Sequence, residues 1–482
     1  MAVTSRLACL LACLQCLWSP ADGGKLLVIP VDGSHWLSIK LIVEEIHGRG
    51  HQVVIVKPEN SLLIKTPLHY TTISFPVSYS KAEVDELYVS LIQMAFYDGT
   101  FYQKLSQTLQ HVDKIRQYFL RICEDLLFNT RLLEELAKEH FDALLTDPFS
   151  PCGAIVAEYL SLPTVNLLRG LPCGLDNSAT QCPRPLSYVP RIFTGNTDRM
   201  TFLQRTLNVL ANFAESLLCH FIYSPFEELA QRFLQRDVTL VQLLSKASIW
   251  LMRYDFTIEY PKPLMPNMVL VGGINCQERK PLSQMVHWQC HPAKYGNLHW
   301  RSPQEGSWNV HEAWRPDAHP KTRAFLTHGG SHGVYEAICS AVPMLLLPLF
   351  SDQIENAERL KVQGVGVVMS LKDLSSQGLV EALNTVINDT RYKEVITKMS
   401  SLYKDRPVQP LEISAYWVEF VMRHRGAEHL QAAAHDYNWI QYHCLDVIGT
   451  LAAVVFLFFC LVFKCCLFCL RRAKGRAKRK CD

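Results

Sequence analysis

The chain has 482 residues and a formal net charge of +3. This length exceeds what a single hydrophobic core usually organises, so two sizeable domains are expected. The net charge is small and gives no reason to expect a nucleic-acid partner.

The N-terminus has the pattern of a secretory signal. Arg6 precedes an apolar run over residues 7–18, and small or turn-forming residues follow at 19–23. Because the apolar run is too short to span a bilayer comfortably, residues 1–23 are predicted to be a cleaved signal peptide.

Residues 25–56 have the pattern of a strand–helix–strand unit. An aliphatic run at 25–31 is followed by a turn, Asp32-Gly33-Ser34, in which Ser34 is expected to cap a helix. Apolar positions at helical spacing continue to about residue 46, and 52–56 form a second aliphatic run. This pattern predicts two parallel strands joined by a right-handed crossover.

A histidine and an aspartate follow two of the predicted strands. His35 lies where the first strand passes into its helix, and Asp147 follows the strand predicted at 141–146. At the carboxyl ends of strands in one sheet, such a pair can act as a base and the group that orients it. Two alternatives stay open, because His35 fits an ordinary first-turn residue and Asp147 before Pro148 fits a turn former.

A second α/β pattern begins after the prolines at 261, 263 and 266, which indicate a domain boundary. Strands are predicted at 323–327 and 343–347, with a glycine-rich turn and a helix between them. Strands that alternate with helices predict parallel sheets covered on both faces. Two such domains would face each other across a ligand-binding cleft.

The glycine-rich turn has the composition of an anion site. Gly329, Gly330 and Gly333 allow backbone N–H groups to approach an anion at a helix N-terminus. His328 adds a donor, and Glu336 is placed to accept hydrogen bonds from ribose hydroxyls. The alternative is a glycine turn that binds no ligand.

The next predicted helix opens with two polar residues. Asp352 and Gln353 lie at its first positions, where they can face the same cleft. The alternative is local, because Asp352 with Glu355 three residues later fits a capping box.

The C-terminus has the pattern of a membrane anchor. Residues 447–463 carry no charge, and the tail at 464–482 includes a cluster of cations from 471 to 480. This asymmetry predicts a transmembrane helix, a basic cytoplasmic tail and a lumenal orientation for the rest of the chain. Lys478 and Lys480 resemble an endoplasmic reticulum retrieval signal, and Asn388 begins a glycosylation sequon. The chain is therefore predicted to be a single-pass type I protein of that membrane.

Five segments together resemble the UDP-glucuronosyltransferases, and more specifically the branch that conjugates phenols and bilirubin. They are residues 32–38, 141–149, 263–268, 271–276 and 323–356. The resemblance implies a GT-B type α/β fold, in which two Rossmann-like domains face a cleft, plus one C-terminal transmembrane helix. It implies an acceptor domain at 24–265 and a UDP-sugar domain at 266–446.

The resemblance also implies roles for the residues already singled out. His35 would deprotonate the acceptor hydroxyl, and Asp147 would orient the imidazole and stabilise its charged form. The donor site would comprise His328, Gly329, Gly330, Ser331, His332, Gly333, Glu336, Asp352 and Gln353. UDP-glucuronic acid would be a co-substrate, with no metal or other cofactor, and the chain would form homo- or hetero-oligomers with its relatives.

The resemblance fails over residues 277–318. Relatives place here a first strand and a tryptophan motif that stacks on uracil, whereas this chain has a stretch rich in histidine and tryptophan. An alternative transcript, a frame-shifted stretch or a faulty gene model would produce such a break. A metal site at His287, Cys290 and His291 is the other interpretation, but the spacing matches no standard zinc pattern.

Two functions therefore remain open from the sequence. The first is a glucuronosyltransferase that acts on hydroxyl groups of small lipophilic compounds. The second is a catalytically impaired membrane subunit, or splice form, that associates with intact relatives.

Overall fold

The computed structural model describes residues 23–65, 70–192, 194–276, 322–350 and 352–478. The predicted signal peptide up to residue 22, the atypical segment 277–318 with its histidine and cysteine cluster, and the last four residues of the tail lie outside this description. The chain divides into two compact units, and the boundary follows Leu430.

Seven of the described strands form a parallel sheet in the N-terminal half, in the order β3-β2-β1-β4-β5-β6-β7. They are β1 (Lys25–Ile29), β2 (Gln52–Pro58), β3 (Thr71–Phe75), β4 (Ala143–Thr146), β5 (Thr164–Leu168), β6 (Ile249–Met252) and β7 (Met268–Leu270). The strand order reverses between β1 and β4, which pair directly. Open α/β sheets bind ligands at the carboxyl ends of the strands at such a switch point.

Helices cover both faces of this sheet. They are α1 (Ser34–Gly48), α2 (Lys81–Ala95), α3 (Phe101–Leu127), α4 (Thr130–Lys138), α5 (Cys152–Leu160), α6 (Leu175–Thr180), α7 (Phe202–Leu234) and α8 (Leu240–Ser245). Side chains alternate along each strand, so Leu26 and Val28 join one core and Leu27 and Ile29 join the other. Because both faces are buried, the strands are almost continuously apolar, which explains why the sequence pattern located them.

The start of α1 differs in one detail from the expectation. Ser34 is the first residue of the helix, and Gly33 is the capping residue, with no side-chain cap. Gly33 has φ of +79°, a conformation that glycine adopts without a steric penalty. The Asp32 carboxylate accepts hydrogen bonds from the N–H groups of Leu62 and Leu63, which fixes the turn from outside.

Three described strands form the sheet of the C-terminal half, in the order β10-β9-β8. The elements are β8 (Phe325–Thr327), α9 (Ser331–Cys339), β9 (Met344–Leu346), α10 (Asp352–Val362), β10 (Gly366–Val368), α11 (Ser376–Asn388), α12 (Thr390–Lys404) and α13 (Pro410–His424). Short 3-10 turns lie at Pro172–Gly174, Leu371–Asp373, Glu428–Leu430 and Ala433–Asp436. Within the described residues, β8 pairs only with β9, so one edge of this sheet has no described neighbour.

Two elements that follow the boundary expected at residue 265 pack with the N-terminal half. Strand β7 begins at Met268 and pairs with β6, so the N-terminal sheet extends beyond that boundary. Helix α13 returns from the C-terminal half and buries Ala415, Val418 and Val421 against the same face as α1. The sequence pattern did not reveal this return, because α13 has the same amphipathic character whichever sheet it covers.

Disulfide bonds join elements within each half. Cys123 of α3 is bonded to Cys152 of α5. Cys276, the last residue before the undescribed segment, is bonded to Cys339 at the end of α9. The second bond therefore joins the residue before the undescribed segment to α9, the helix of the predicted donor site.

The second unit contains α14 (Trp439–Tyr442) and α15 (Leu445–Lys478). Residues Leu445–Phe468 of α15 have a mean hydropathy of 2.7 and are long and apolar enough to cross a membrane. This range contains the predicted span 447–463.

Candidate functional site

The catalytic pair predicted from the sequence is brought together at the switch point. His35 lies in the first turn of α1 after β1, and Asp147 follows β4. The Nδ1 atom of His35 is 2.6 Å from Oδ2 of Asp147. The Asp147 side chain is 1% exposed, and its Oδ1 accepts the N–H of Phe149 at 2.9 Å.

This geometry fixes the tautomer that a base requires. A buried carboxylate at Nδ1 favours the N–H on that nitrogen, so Nε2 keeps its lone pair. The His35 side chain is one-third exposed, and Nε2 has no hydrogen-bond partner among the described residues. The pair can therefore take a proton from a hydroxyl group in the cleft.

An apolar cavity lies beside this pair at the same end of the sheet. Its wall includes aromatic side chains of β3, α2, α3 and the loop before α2: Phe75, Tyr79, Tyr88, Tyr118 and Phe119. Burial raises the pKa of Tyr79 to about 12, so its hydroxyl is uncharged at neutral pH. The ring of Phe149 packs between Phe119 of the wall and His35, with centroid distances of 5.4 and 5.1 Å. Phe149 therefore connects the wall of the cavity to His35 by aromatic contacts.

The predicted anion turn lies across the cleft, between β8 and α9. Gly329 has φ of +82°, and a Cβ added there would lie 3.2 Å from the carbonyl oxygen of Gln353. Gly330 is the capping residue of α9, and its neighbour His328 covers it, because an added Cβ would meet the imidazole at 2.6 Å. The first N–H groups of α9 have no partner within the helix, as an anion site requires.

The surroundings of His328 disfavour its protonated form. Burial lowers the pKa of its imidazole, and the nearby Asp352 carboxylate only partly opposes this shift. A bound diphosphate would add negative charge and favour the protonated imidazole.

Gly333, His332 and Glu336 have structural partners that the sequence did not indicate. A Cβ at Gly333 would lie 3.1 Å from Oγ1 of Thr327, so this glycine allows α9 to pack closely on β8. His332 Nε2 lies 2.8 Å from the Ser38 hydroxyl of α1 and so links α9 to α1. Glu336 accepts a hydrogen bond from Asn275 at 3.2 Å.

Asp352 opens α10 with its carboxylate toward the cleft. Its Oδ2 accepts hydrogen bonds from Arg169 at 2.6 Å, Ser331 at 3.2 Å and Asn356 at 3.2 Å. Burial opposes ionisation, but Arg169 and these hydrogen bonds lower the pKa of Asp352 below its usual value. Two of these partners, Arg169 and Ser331, lie outside α10, so residues across the cleft help to orient the carboxylate.

Gln353 is partly engaged by the loop before α10. Its Oε1 accepts the N–H groups of Leu349 at 3.0 Å and Phe350 at 3.3 Å, and the side chain is 6% exposed. Among the described residues, none accepts a hydrogen bond from its NH₂ group.

Two arginines of the site were missed by the sequence analysis. Arg169 follows β5 and Arg253 follows β6, so both lie at the carboxyl end of the same sheet as Asp147. The strand-end rule that selected Asp147 could have found them, but neither lies in a recognisable motif. No metal-binding cluster of histidine, cysteine, aspartate and glutamate is present in the described parts of the chain.

Solved structures with this architecture are glycosyltransferases. The chain matches glycosyltransferase VinC in complex with dTDP with a TM-score of 0.52 and 16% identity, covering 83% of this chain and 100% of that chain. It matches spinosyn forosaminyltransferase SpnP with a TM-score of 0.51 and 14% identity, covering 83% and 99% of the two chains. The fold is therefore that of a GT-B glycosyltransferase.

The chain belongs to the family described as "UDP-glucoronosyl and UDP-glucosyl transferase", whose model matches residues 24–294 and 313–480. It is 45% identical to human UDP-glucuronosyltransferase 1A1, with 97% of this chain and 96% of that protein covered. The identity to the mouse protein of the same name is 44%, with 99% and 98% covered. The chain is thus a UDP-glycosyltransferase.

The family match also shows which residues of the atypical segment depart from the family model. The family model leaves residues 295–312 unmatched, within the segment 277–318 that departs from the resemblance. The alignment with the mouse relative runs over 522 residues, more than the 482 of this chain. The relative therefore carries residues that this chain lacks.

Proposed function

We propose that this protein transfers glucuronic acid from UDP-glucuronic acid to a hydroxyl group of a small lipophilic acceptor, with inversion at the anomeric carbon. The similarity to proteins named UDP-glucuronosyltransferase supports the donor. The observation that carries the proposal is an unpaired arginine, Arg253, within the cleft.

Arg253 is suited to a carboxylate-bearing sugar. Burial lowers the pKa of its guanidinium, and the carboxylates of Asp147 and Asp352 oppose this shift. The guanidinium therefore interacts electrostatically with carboxylates from both sides of the cleft. No hydrogen bond or ion pair with another described residue engages the guanidinium. Since burying an unpaired cation is costly, a ligand carboxylate would relieve that cost. Glucuronic acid carries such a group, and glucose does not.

In the proposed reaction, residues of the N-terminal half activate the acceptor and residues of the C-terminal half stabilise the leaving diphosphate. His35 Nε2 removes the proton of the acceptor hydroxyl, while Asp147 stabilises the resulting imidazolium. The acceptor oxygen attacks the anomeric carbon from the face opposite the diphosphate, and the bond between that carbon and the diphosphate oxygen breaks. The first N–H groups of α9 and His328 stabilise the charge that develops on the diphosphate.

The aromatic cavity supports a lipophilic acceptor. Its wall is mostly apolar and has neutral tyrosine hydroxyls, so it favours small compounds with little charge. Its link to His35 through Phe149 would place an acceptor hydroxyl near the base.

A second function is favoured by one specific observation, which is that this chain lacks residues that its mouse relative carries, while the family model leaves 295–312 unmatched. If the absent residues belong to the donor domain, the protein would be a catalytically impaired subunit that associates with intact relatives. Co-expression with a tagged relative, followed by purification and assay, distinguishes the two. Turnover by the protein alone supports the enzyme, whereas association without turnover supports the subunit.

The donor assignment is tested by changing Arg253. Loss of a buried hydrogen-bonded charge pair is expected to weaken binding of UDP-glucuronic acid by about 10- to 150-fold in Arg253→Gln. Binding of UDP should change little, because UDP has no sugar carboxylate. Equal loss for both ligands, measured by calorimetry, would reject the carboxylate role.

We propose that the protein is a type I protein of the endoplasmic reticulum, anchored by α15 and glycosylated at Asn388. Asn388 is exposed at the end of α11, as a modified asparagine must be. Protease added to sealed microsomes should remove only the basic tail. Digestion of the large unit without detergent would contradict this orientation.

A further inference from the structure

A guanidinium from the N-terminal half reaches a predicted sugar-binding carboxylate in the C-terminal half. Arg169 follows β5, and its Nη1 donates to Oδ2 of Asp352 at 2.6 Å, across 183 residues of sequence. The Arg169 side chain is 21% exposed. The contact therefore links the two sides of the cleft.

Arg169 is itself fixed by a second carboxylate. Its Nη2 donates to Oε1 of Glu259 at 2.7 Å, and the same oxygen accepts from Arg359 of α10 at 2.9 Å. Burial opposes ionisation of Glu259, but Arg359 and Arg169 lower its pKa to about 2. The two planar guanidinium groups and the two carboxylates thus form a chain of charge-assisted hydrogen bonds.

The contacts of Asp352 leave one of its oxygens available. All three donors to the carboxylate, Arg169, Ser331 and Asn356, bind Oδ2. Oδ1 accepts no hydrogen bond from a described residue, and the side chain is 40% exposed. Asn356 also donates to the carbonyl of Gly329 at 2.8 Å, which connects this carboxylate to the anion turn.

We infer that Arg169 is a positioning residue for the donor sugar, because it holds Oδ2 of Asp352 and so presents Oδ1 to a sugar hydroxyl. This inference rests on the proposed function, in which Asp352 receives the sugar. Arg169 is not a catalytic residue, since it acts through Asp352.

The position of Arg169 also relates the sugar to the base. Strands β4 and β5 are paired neighbours, and their carboxyl ends carry Asp147 and Arg169. The strand that orients His35 through Asp147 is therefore next to the strand that orients Asp352 through Arg169. A rigid sheet thus sets the spacing between the attacking oxygen and the anomeric carbon, and that spacing strongly affects rate.

The test compares Arg169→Gln, Arg169→Lys and a control variant of the full chain. Arg406→Gln is the control, because Arg406 forms an ion pair of similar exposure with Asp255 at 3.2 Å and does not contact Asp352. Hydrogen exchange of the ligand-free protein is measured over residues 349–356. Calorimetry then gives the dissociation constants for UDP and UDP-glucuronic acid.

Arg169→Gln should speed exchange at 349–356 about 10-fold, because local opening no longer breaks the ion pair. It should raise the dissociation constant for UDP-glucuronic acid about 10-fold or more, with UDP changed by less than about 2-fold. Arg169→Lys should restore part of both effects, and Arg406→Gln should show neither.

Each contrary result has a separate meaning. Unchanged exchange in Arg169→Gln, or equal weakening of both ligands, overturns the positioning role. If the unmodified chain binds UDP and UDP-glucuronic acid equally while exchange still responds to Arg169, the proposed function fails and the positioning of Asp352 stands.

Discussion

The two α/β halves differ in the number of strands that the structure describes and in the contacts that hold their sites. In the N-terminal half, β4 is the central strand of seven described strands, and β1 beside it is paired on both sides with β2 and β4. In the C-terminal half, three described strands end at β8, whose Leu326 is 46% exposed. The predicted catalytic pair therefore follows two interior strands of its sheet, and the predicted donor groups lie beside an edge with no described neighbour.

Different kinds of interaction hold the two predicted sites in place. His35 and Asp147 are fixed by adjacent strands buried on both faces. The donor loops depend more on directed contacts, namely the ion pairs of Glu259, the Asn356 hydrogen bonds and the Cys276–Cys339 bond. Because breaking a buried ion pair costs more than most surface changes, the donor site should be the more sensitive half.

The largest expected effect comes from Glu259→Gln. The change leaves Arg169 and Arg359 without their shared carboxylate and should lower the free energy of unfolding by about 3–5 kcal/mol. Urea unfolding measures this loss, beside Arg406→Gln, whose half-buried pair should cost about 1 kcal/mol or less. A loss for Glu259→Gln no larger than that of the control would show that the ion pairs do not support the donor half.

The ion pairs of Glu259 also predict that the stability of the protein depends on pH. The pKa of Glu259 is lowered from 4.5 in the unfolded chain to about 2 in the folded protein. Its stabilising contribution is therefore present above pH 4.5 and is lost as the pH falls toward 2. The difference in stability between the unmodified protein and Glu259→Gln should shrink over this window.

The next prediction concerns the general base proposed in the N-terminal half. His35→Ala should reduce turnover of an aliphatic alcohol by at least about 100-fold, the usual contribution of a general base. The exposed His220 provides the matched substitution, His220→Ala, which should leave turnover unchanged. A weakly acidic alcohol is the correct acceptor, because a phenol ionises partly without help. Near-normal turnover in His35→Ala would exclude the base role.

The smallest effect concerns His328. Burial lowers its pKa in the ligand-free protein, and a diphosphate should raise it, so binding should take up protons. Affinity for UDP should therefore increase as the pH falls from 8 to 6, by at most about 10-fold per unit of pKa change. Calorimetry in buffers of different ionisation enthalpy measures the uptake. Uptake that persists in His328→Gln would assign it to another group.

Local patterns in the sequence were sufficient for much of the fold and part of the site. Strands β1 and β4 are continuous apolar runs, and their ends identify His35 and Asp147 without the structure. Gly329 was recognisable because it lies in a glycine-rich turn before a predicted helix, and the structure adds that its φ is +82°. These features depend on a few consecutive residues.

The missed features depend on contacts between distant residues. Nothing near Arg169 indicates Asp352, which lies 183 residues away, and Arg253 has no motif around it. The return of α13 to the N-terminal sheet was hidden, because an amphipathic helix does not specify which core it covers. The role of Gly333 in packing on Thr327 was likewise invisible, since a glycine at that spacing also fits an anion site.

The central claim is that donor binding is impaired in this chain, because the chain lacks residues that its relatives carry. The most direct test is the affinity for UDP-glucuronic acid, measured by calorimetry beside the human relative that is 45% identical. Loss of an aromatic stack on the uracil predicts binding weaker by about 5- to 150-fold. Equal affinity in the two proteins would contradict the claim, because the donor site would then be whole.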